Sequence, residues 1–266
     1  MFQSSINFVF RMNYKAKKSY GQHFLIQQKV IDRITELIIH SGLEKVLEIG
    51  PGKGALTAAL LKHFSDFIAV EADQDMLEYL INVYPENRNQ FIGKDFLKLN
   101  LENIFEGSSF LICGNFPYNI SSQIVFKTLE HADRIPQLIG MFQKEMAQRI
   151  VASPGRKEYG VISACTALFY KGQIEFDIGP GNFSPPPKVD SSILRLSRNS
   201  NNLTYSEYSR ARKVIKHSFL HRRKTLRNNL KTLISDPSIL SDSFYNQRAE
   251  DITPLEYLRL SKELNF

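Results

Sequence analysis

The segment Val-Leu-Glu-Ile-Gly-Pro-Gly-Lys-Gly, residues 46–54, decides the fold of this chain. Val46–Ile49 is a short apolar run typical of a buried strand, and the glycines after it lead into a helical pattern over residues 56–64. Glycines at such a turn let the backbone approach a nucleotide closely. The order of strand, glycine-rich turn and helix therefore predicts a nucleotide-binding sheet of the α/β class.

The chain around this segment alternates between strand and helix patterns, which favours a parallel sheet. A polar stretch at residues 199–202 indicates a boundary, and we expect a flexible leader at 1–19, an α/β domain at 20–199 and a helical domain at 200–266. The predicted strands cover residues 46–49, 67–70, 90–92, 110–113, 137–142, 174–178 and 191–196. The predicted helices cover residues 28–41, 56–64, 75–84, 123–130, 145–152 and 161–170.

Two kinds of cofactor fit the first half of the chain. Gly50, Gly52 and Ala55 match the dinucleotide pattern G-x-G-x-x-G/A, and Glu71, about twenty residues on, could hold ribose hydroxyls in either case. Asp95, after the third strand, could accept a hydrogen bond from an adenine amino group. A hydride-transfer enzyme has no evident use for that acid, yet the glycine pattern keeps a nicotinamide-dependent oxidoreductase open.

Asn115, Phe116, Pro117 and Tyr118 follow the predicted strand at residues 110–113. An amide, two backbone carbonyls and an aromatic face in this order suit the exocyclic amine of adenine. The carboxyl end of a strand is also where open α/β sheets bind ligands. An ordinary turn is the alternative, since Asn and Pro are common turn formers.

The charge of the chain favours a polyanionic partner. Its net charge is +7, and residues 210–231 hold nine basic side chains and no carboxylate. Apolar residues recur at near-helical spacing through the same stretch, so one face can pack while the other presents cations. Nucleic acid is the favoured partner, with a solvated helical face as the alternative. The basic residues are Arg210, Arg212, Lys213, Lys216, Arg222, Arg223, Lys224, Arg227 and Lys231.

The sequence gives no indication of membrane association, of disulfide bonds or of a metal site. There is no apolar run of about 18 residues, so we expect no membrane association. Cys113 and Cys165 have neither a CxxC spacing nor a disulfide framework, which indicates buried thiols in a reducing cytoplasm. The histidines show no ligand spacing that would suggest a metal.

With these residues in view, the chain resembles the S-adenosylmethionine-dependent ribosomal RNA adenine N6-dimethyltransferases, most closely those that act on small-subunit (16S) rRNA. The resemblance runs from about Tyr20 to the C-terminus. Its elements are residues 21–25 (GQHFL), the 48–54 loop, Glu71, Asp95, the tetrad at 115–118, residues 182–191 (NFSPPPKVDS) and residues 219–230 (FLHRRKTLRNNL). It implies a Rossmann-like methyltransferase sheet with a smaller C-terminal all-α domain that helps dock the ribosomal particle.

The resemblance also implies roles for single residues. The cofactor S-adenosylmethionine would be held by His23, Leu25, Gly50, Gly52, Glu71, Asp95, Phe96 and Asn115. The catalytic residues would be Asn115, Pro117 and Tyr118, with Tyr118 and Phe183 stacking on the two faces of the substrate base. Ribosomal RNA would be contacted by Arg222, Arg223, Lys224 and Arg227.

Two positions differ from the usual residues of the family, and a third has an alternative role. His23 stands where the family usually has Asn, which keeps a hydrogen-bonding side chain at this position. Phe116 replaces the usual Leu or Ile, which should be tolerated if the residue contributes its backbone carbonyl. Phe183 has an alternative role as a hydrophobic plug beside the proline run.

The expected activity is methyl transfer to N6 of adenosines in small-subunit rRNA or its precursor, by a monomer. Dimethylation of two adjacent adenosines near the 3′ end is implied by the resemblance alone. The alternatives are a large-subunit rRNA methyltransferase of the antibiotic-resistance type, a non-catalytic RNA-binding or assembly factor on the same fold, and the oxidoreductase. The PPPKVDS run with Asp190 and the FLHRRKTLRNNL segment argue against the first, and the intact tetrad argues against the second.

Overall fold

The computed structural model describes residues 22–266, so the predicted leader lies outside the described residues. The chain forms two compact units. The first runs up to Lys144 and also includes Glu175–Arg195, and the second comprises Glu145–Ile174 and Leu196–Phe266. The sequence predicted a single boundary near residue 199. The segment at 145–174, which that prediction placed in the α/β domain, groups instead with the C-terminal helices.

A seven-stranded sheet forms the framework. Its strands are β2 Val46–Ile49, β3 Phe67–Glu71, β4 Phe91–Gly93, β5 Leu111–Asn115, β6 Gln137–Gln143, β7 Tyr170–Ile178 and β9 Ser191–Arg198. Their order is β4-β3-β2-β5-β6-β9-β7, and the pairs β2/β3, β3/β4, β2/β5 and β5/β6 are parallel. The order reverses beside β2, where open α/β sheets bind their ligands.

The strands in the middle of the sheet are almost wholly apolar because both faces are covered. All four residues of β2 are buried, as are the first four of β5. The helix α1, Gln28–Ile39, turns Ile31, Ile34 and Ile38 into the core. The other helices of this unit are α2 Thr57–Leu60, α3 Gln74–Val83 and α4 Ser121–Glu130, and short 3₁₀ segments lie at Pro85–Gln90, Phe96–Lys98, Ile104–Gly107 and Pro180–Asn182.

A second, two-stranded sheet was not predicted. The strand β1, Phe24–Leu25, pairs antiparallel with β8, Phe183–Ser184, so that Phe24 faces Ser184 and Leu25 faces Phe183. The Ile26 N–H continues the ladder by donating to the Asn182 carbonyl at 2.9 Å. Because two residues on each side carry no periodic pattern, the sequence gives no signal for this pairing. It brings the N-terminal segment beside the proline run at 185–187.

The second unit is helical, with two helix starts fixed by capping boxes. Thr204 and Glu207 cap one helix, and Thr253 and Glu256 cap another, in the reciprocal pattern that satisfies free backbone N–H groups. Its helices are α5 Lys144–Ile150, which begins at the last residue of the first segment, α6 Val161–Phe169, α7 Tyr205–Ser218, α8 Leu226–Leu230 and α9 Pro254–Glu263. Within residues 22–266, no helix is long and apolar enough to span a membrane.

Candidate active site

A cavity of about 430 Å³ opens at the carboxyl ends of β2, β3 and β5. All of its lining residues belong to the first unit. The structure brings together the predicted residues His23, Leu25, Gly50, Gly52, Glu71, Asp95, Phe96, Asn115, Pro117 and Tyr118 around this cavity. Residues from widely separated parts of the sequence therefore share one site.

The glycine loop has backbone geometry that only glycine adopts easily. Gly50 has φ of 66° and Gly52 has φ of 54°, both in the left-handed region. A Cβ on Gly52 would lie 2.9 Å from Cε1 of Phe24. Residue 52 must therefore be glycine for two reasons: its positive φ and the Phe24 ring that packs against it.

Glu71 ends β3 and is fixed by the backbone around it. Its Oε2 accepts the Gly52 N–H at 3.1 Å, and its Oε1 accepts the Asp73 N–H at 2.9 Å. Burial raises the pKa of this carboxyl, while the two backbone hydrogen bonds oppose the shift. A carboxylate has about four acceptor sites, so both oxygens can still accept from ribose hydroxyls.

Glu48 is a functional candidate that the sequence reasoning missed. It lines the same cavity, is 2% exposed, and accepts a hydrogen bond from the Thr57 hydroxyl at 2.7 Å. Burial is the main cause that raises the pKa of this carboxyl to about 8. The available signal was a charged residue inside the apolar strand Val46–Ile49, since a buried acid is rare without a partner.

Asp95 caps the short 3₁₀ segment Phe96–Lys98, with its Oδ1 accepting the Leu97 N–H at 2.9 Å. Lys127 secures the same turn from α4, because its Nζ donates to the carbonyls of Phe96, Leu97 and Leu99 at 2.7, 3.0 and 2.5 Å. Burial lowers the pKa of Lys127, and the nearby Asp95 opposes that shift. The acid and the Phe96 ring are thus held at the cavity wall by a lysine that the sequence did not single out.

The amide of Asn115 is oriented by one hydrogen bond. Its Nδ2 donates to the backbone carbonyl of His23 at 2.7 Å, and within residues 22–266 no hydrogen bond engages its Oδ1. The chain reaches this position through Gly114, where φ is 151° and a Cβ would lie 2.4 Å from the Ile49 carbonyl oxygen. The side-chain oxygen of Asn115 is therefore available as an acceptor at the cavity.

Phe116 and Tyr118 have different surroundings. Phe116 is 1% exposed, and its ring packs edge-on against Phe142 at 5.1 Å between centroids. Tyr118 is half-buried, its hydroxyl is 2.7 Å from the Ser191 Oγ, and its ring stacks on His23 with 5.7 Å between centroids and 29° between planes. Burial raises the pKa of the Tyr118 hydroxyl, with the Ser191 hydrogen bond opposing. Tyr118 thus stays a neutral phenol.

Phe183 does not join the cavity. It is 3% exposed, pairs with Leu25 across the small sheet and belongs to the apolar core of the first unit. The structure corrects the expectation of a stacking face here, because the ring is already enclosed by core side chains. The alternative prediction of a hydrophobic plug describes its position.

The predicted RNA-binding residues lie in the second unit, where the basic stretch is not one helix. The chain leaves α7 after Ser218 and turns through residues 219–225 before α8 begins at Leu226. Buried Asn229 fixes this turn, since its Nδ2 donates to the Ser218 and His221 carbonyls at 2.6 and 3.1 Å and its Oδ1 accepts the His221 N–H at 3.2 Å. Leu220 and the four residues that follow it are exposed, and these four, His221, Arg222, Arg223 and Lys224, are here named the basic turn.

The four predicted cations differ in their contacts. Arg222 forms an ion pair with Glu250 at 3.2 Å and donates to the Lys157 carbonyl. Arg227 is half-buried and donates to the carbonyls of Leu240, Ser241 and Asp242 at 2.8, 3.2 and 3.3 Å. Arg223 and Lys224 have no ion pair with any residue of the described chain, which leaves their charges available to a partner.

Comparison with known proteins decides between the alternatives. The model of the family described as ribosomal RNA adenine dimethylase matches residues 13–265. The chain belongs to the ribosomal RNA adenine dimethylase family. Ribosomal RNA small subunit methyltransferase A of Flavobacterium johnsoniae is 41% identical over 94% of this chain and 96% of that protein. The protein of the same name from Bacteroides thetaiotaomicron is 41% identical over 94% of each.

Solved structures agree with this assignment. A dimethyladenosine transferase from Plasmodium falciparum has a TM-score of 0.75 and 26% identity, covering 91% of this chain and 97% of that one. The 23S rRNA methyltransferase ErmE has a TM-score of 0.67 and 24% identity, covering 91% and 99%, and shows the common fold. The dimethylase fold predicted from the sequence is confirmed, and the oxidoreductase alternative is excluded.

S-adenosylmethionine is the methyl donor of ribosomal RNA adenine dimethylases, and the cavity fits it. Gly50 and Gly52 have no side chains that would fill the space beside a bound cofactor. Buried Glu71 and half-buried Asp95 offer acceptors for ribose and adenine, and Leu25 and Phe96 supply apolar contact. The donor set therefore suits the nucleoside part of S-adenosylmethionine.

Proposed function

We propose that this chain transfers methyl groups from S-adenosylmethionine to N6 of adenosines in small-subunit ribosomal RNA, dimethylating two adjacent adenosines near the 3′ end during ribosome biogenesis. The orientation of the Asn115 amide is the observation that supports adenine N6 as the target atom. The Asn115 amide is turned by the His23 carbonyl so that its Oδ1 remains an acceptor beside the glycine loop. An adenine N6 offers the two N–H donors that such an acceptor and a neighbouring carbonyl require.

The reaction needs positioning more than activation. S-adenosylmethionine supplies, when bound, a methyl group on a sulfonium that is already a good electrophile. Glu71 and Asp95 would hold the nucleoside part, and Gly50 and Gly52 would leave room for the remainder. Bringing N6 into line with the methyl group can account for a large share of the rate acceleration, since orientation alone can lower a barrier by about 7–11 kcal/mol.

The tetrad prepares the nucleophile. The lone pair of N6 is delocalised into the adenine ring and becomes available only as the amine turns pyramidal. Asn115 Oδ1 and the carbonyl of Phe116 or Pro117 accept its hydrogens, which favours that geometry and the positive charge developing on nitrogen. Tyr118 presents its ring to a base drawn out of its helix, which base-modifying enzymes require.

The proton released from N6 needs no carboxylate base. The oxygens of Glu71 accept backbone N–H groups. Burial raises the pKa of Glu48 to about 8, so this carboxyl is largely protonated at pH values below 8. After transfer, N6 carries a positive charge and is acidic enough to lose its proton to water. Asn115 and Tyr118 consequently act without exchanging protons.

The second unit docks the RNA, with Arg222, Arg223, Lys224 and Arg227 as its predicted contacts. Arg223 and Lys224 are the exposed cations best placed to neutralise phosphates, because their charges are unpaired within the described chain. We propose that the enzyme acts as a monomer. We also propose a cytoplasmic location, which the rRNA substrate and the free, buried thiols Cys113 and Cys165 support.

Isolated ribosomal subunits provide the test. The protein is incubated with tritiated S-adenosylmethionine and, separately, with small and large subunits from cells that lack the modification. Label in small-subunit RNA, mapped to adenosines near its 3′ end, is the expected result. Label confined to large-subunit RNA would overturn the proposal in favour of the antibiotic-resistance type of activity.

A further inference from the structure

His23 links two other parts of the first unit, the tetrad at residues 115–118 and the proline run at residues 185–187. Its backbone carbonyl accepts the Asn115 amide at 2.7 Å, its Nδ1 lies 2.8 Å from the Pro185 carbonyl, and its ring stacks on Tyr118. A carbonyl oxygen only accepts, so Nδ1 must carry a hydrogen in this contact. The side chain of His23 is thereby engaged with the tetrad and with the proline run.

Tyr118 is held from two sides. The His23 ring covers one of its faces at 5.7 Å between centroids, and Ser191 binds its hydroxyl at 2.7 Å. Ser191 is itself fully buried at the start of β9. The neighbouring Ser192 donates to Asp177 Oδ1 at 2.6 Å, and Lys144 pairs with Asp177 Oδ2 at 2.6 Å. Ring orientation of Tyr118 is therefore set by a face contact and an edge contact.

We propose that the His23 side chain is a positioning residue for the target base and not a ligand of the cofactor. It fixes the Tyr118 ring as a rigid wall of the base pocket and ties that wall to the Pro185 backbone. This inference rests on the proposed function, because it assigns the wall to an adenine. It reverses the sequence-based expectation that His23 contacts S-adenosylmethionine through its side chain.

The role of the His23 side chain can be tested separately from that of its backbone carbonyl. The Asn115 hydrogen bond uses the His23 carbonyl, so a side-chain substitution at 23 leaves that contact in place. His23→Phe keeps a ring on Tyr118 and removes the donor to Pro185. His23→Asn keeps a donor and removes the ring. His23→Ala removes both, and His40→Ala, at an exposed histidine after α1, is the matched control.

Two measurements decide the proposal. The Kd of S-adenosylmethionine, measured by calorimetry without RNA, should stay within about twofold of wild type in all three variants. Single-turnover transfer to small subunits at saturating cofactor should fall about tenfold in His23→Ala and less in the other two, since small misplacements of a reactant cost this much or more. In a Tyr118→Ala background, His23→Ala should cause no further loss.

Three results would overturn the proposal. One is a cofactor Kd that weakens in parallel with the loss of transfer, which would make His23 a cofactor ligand. Another is an undiminished rate in His23→Ala. The third is an equal loss in the wild-type and Tyr118→Ala backgrounds, which would show that His23 acts independently of Tyr118. Failure of wild type to label small subunits would instead refute the proposed function, and thermal denaturation of each variant identifies any that fails to fold.

Discussion

The Asn115 side chain donates from Nδ2 to the His23 backbone carbonyl at 2.7 Å, which leaves its Oδ1 as the acceptor at the cavity. Asn115→Asp tests this orientation, because a carboxylate cannot donate and would place an oxygen against the carbonyl. Removing one preorganised polar contact of this kind typically costs about 10²–10³ in rate. We expect single-turnover transfer to fall by that factor while the RNA Kd stays nearly unchanged. A variant that retained more than half of the wild-type rate would contradict the assignment.

Phe116→Leu should be tolerated. The Phe116 ring is buried against Phe142, so the residue offers its backbone to the cavity and its side chain to the core. The smaller side chain leaves a void and should lower the free energy of unfolding by about 1 kcal/mol, with little change in transfer. Denaturant unfolding and single-turnover assays measure the two effects.

Gly140→Ala is the contrasting variant at the same ring. Its Cβ would lie 2.1 Å from Cε2 of Phe116, so the ring must move and the tetrad with it. We expect losses in both stability and transfer. If Gly140→Ala behaved like Phe116→Leu, the buried ring would have no part in placing the tetrad.

Glu48 should make stability depend on pH. The pKa of its carboxyl is raised by burial from 4.5 to about 8, so its stabilising contribution is present below pH 4.5 and is lost as pH rises towards 8. Glu48→Gln keeps a neutral side chain and lacks this titration. Wild type should therefore lose stability relative to Glu48→Gln across that window, with a slope of at most about 1.4 kcal/mol per pH unit. Denaturant curves that remain parallel from pH 5 to 8 would show that the carboxyl is not buried as described.

Substitutions in the basic turn should weaken RNA binding, whereas substitution of Arg227 should mainly lower the stability of the protein. Arg223→Gln with Lys224→Gln removes two unpaired charges, so RNA affinity should fall and the slope of log K against log salt should flatten by about one per charge. Arg227→Gln removes three hydrogen bonds to the carbonyls of residues 240–242 and should mainly lower the melting temperature. Lys62→Gln, an exposed lysine of the first unit, is the control for general charge loss. Equal losses of RNA affinity in Lys62→Gln and in the double variant would contradict a specific role for the turn.

Periodicity and glycine spacing predicted most of the first unit. The strand at residues 46–49 was predicted with its observed bounds, and the strands at 67–71 and 137–143 within one residue, because buried parallel strands are apolar runs with clear ends. The cavity followed from these ends, since the carboxyl termini of parallel strands share one edge of the sheet.

Other features depend on contacts between distant residues and left no local pattern. The pairing of Phe24–Leu25 with Phe183–Ser184 is too short for any periodicity, and it is the reason that Phe183 is buried. The same holds for Lys127, whose role is to bind three carbonyls of another segment, and for Asn229, which fixes the basic turn. The near-helical apolar spacing over residues 210–231 predicted one packed face along this stretch, but the chain turns at residues 219–225.

The most direct test of the central claim is the content of N6,N6-dimethyladenosine in small-subunit RNA after reaction with S-adenosylmethionine. Small subunits lacking the modification are treated with wild type, with Asn115→Ala or with the control His40→Ala, and the RNA is digested to nucleosides for mass analysis. We expect about two dimethyladenosines per subunit with wild type and His40→Ala, and none with Asn115→Ala, whose RNA binding remains. Full dimethylation by Asn115→Ala, or methyl groups on any atom other than adenine N6, would contradict it.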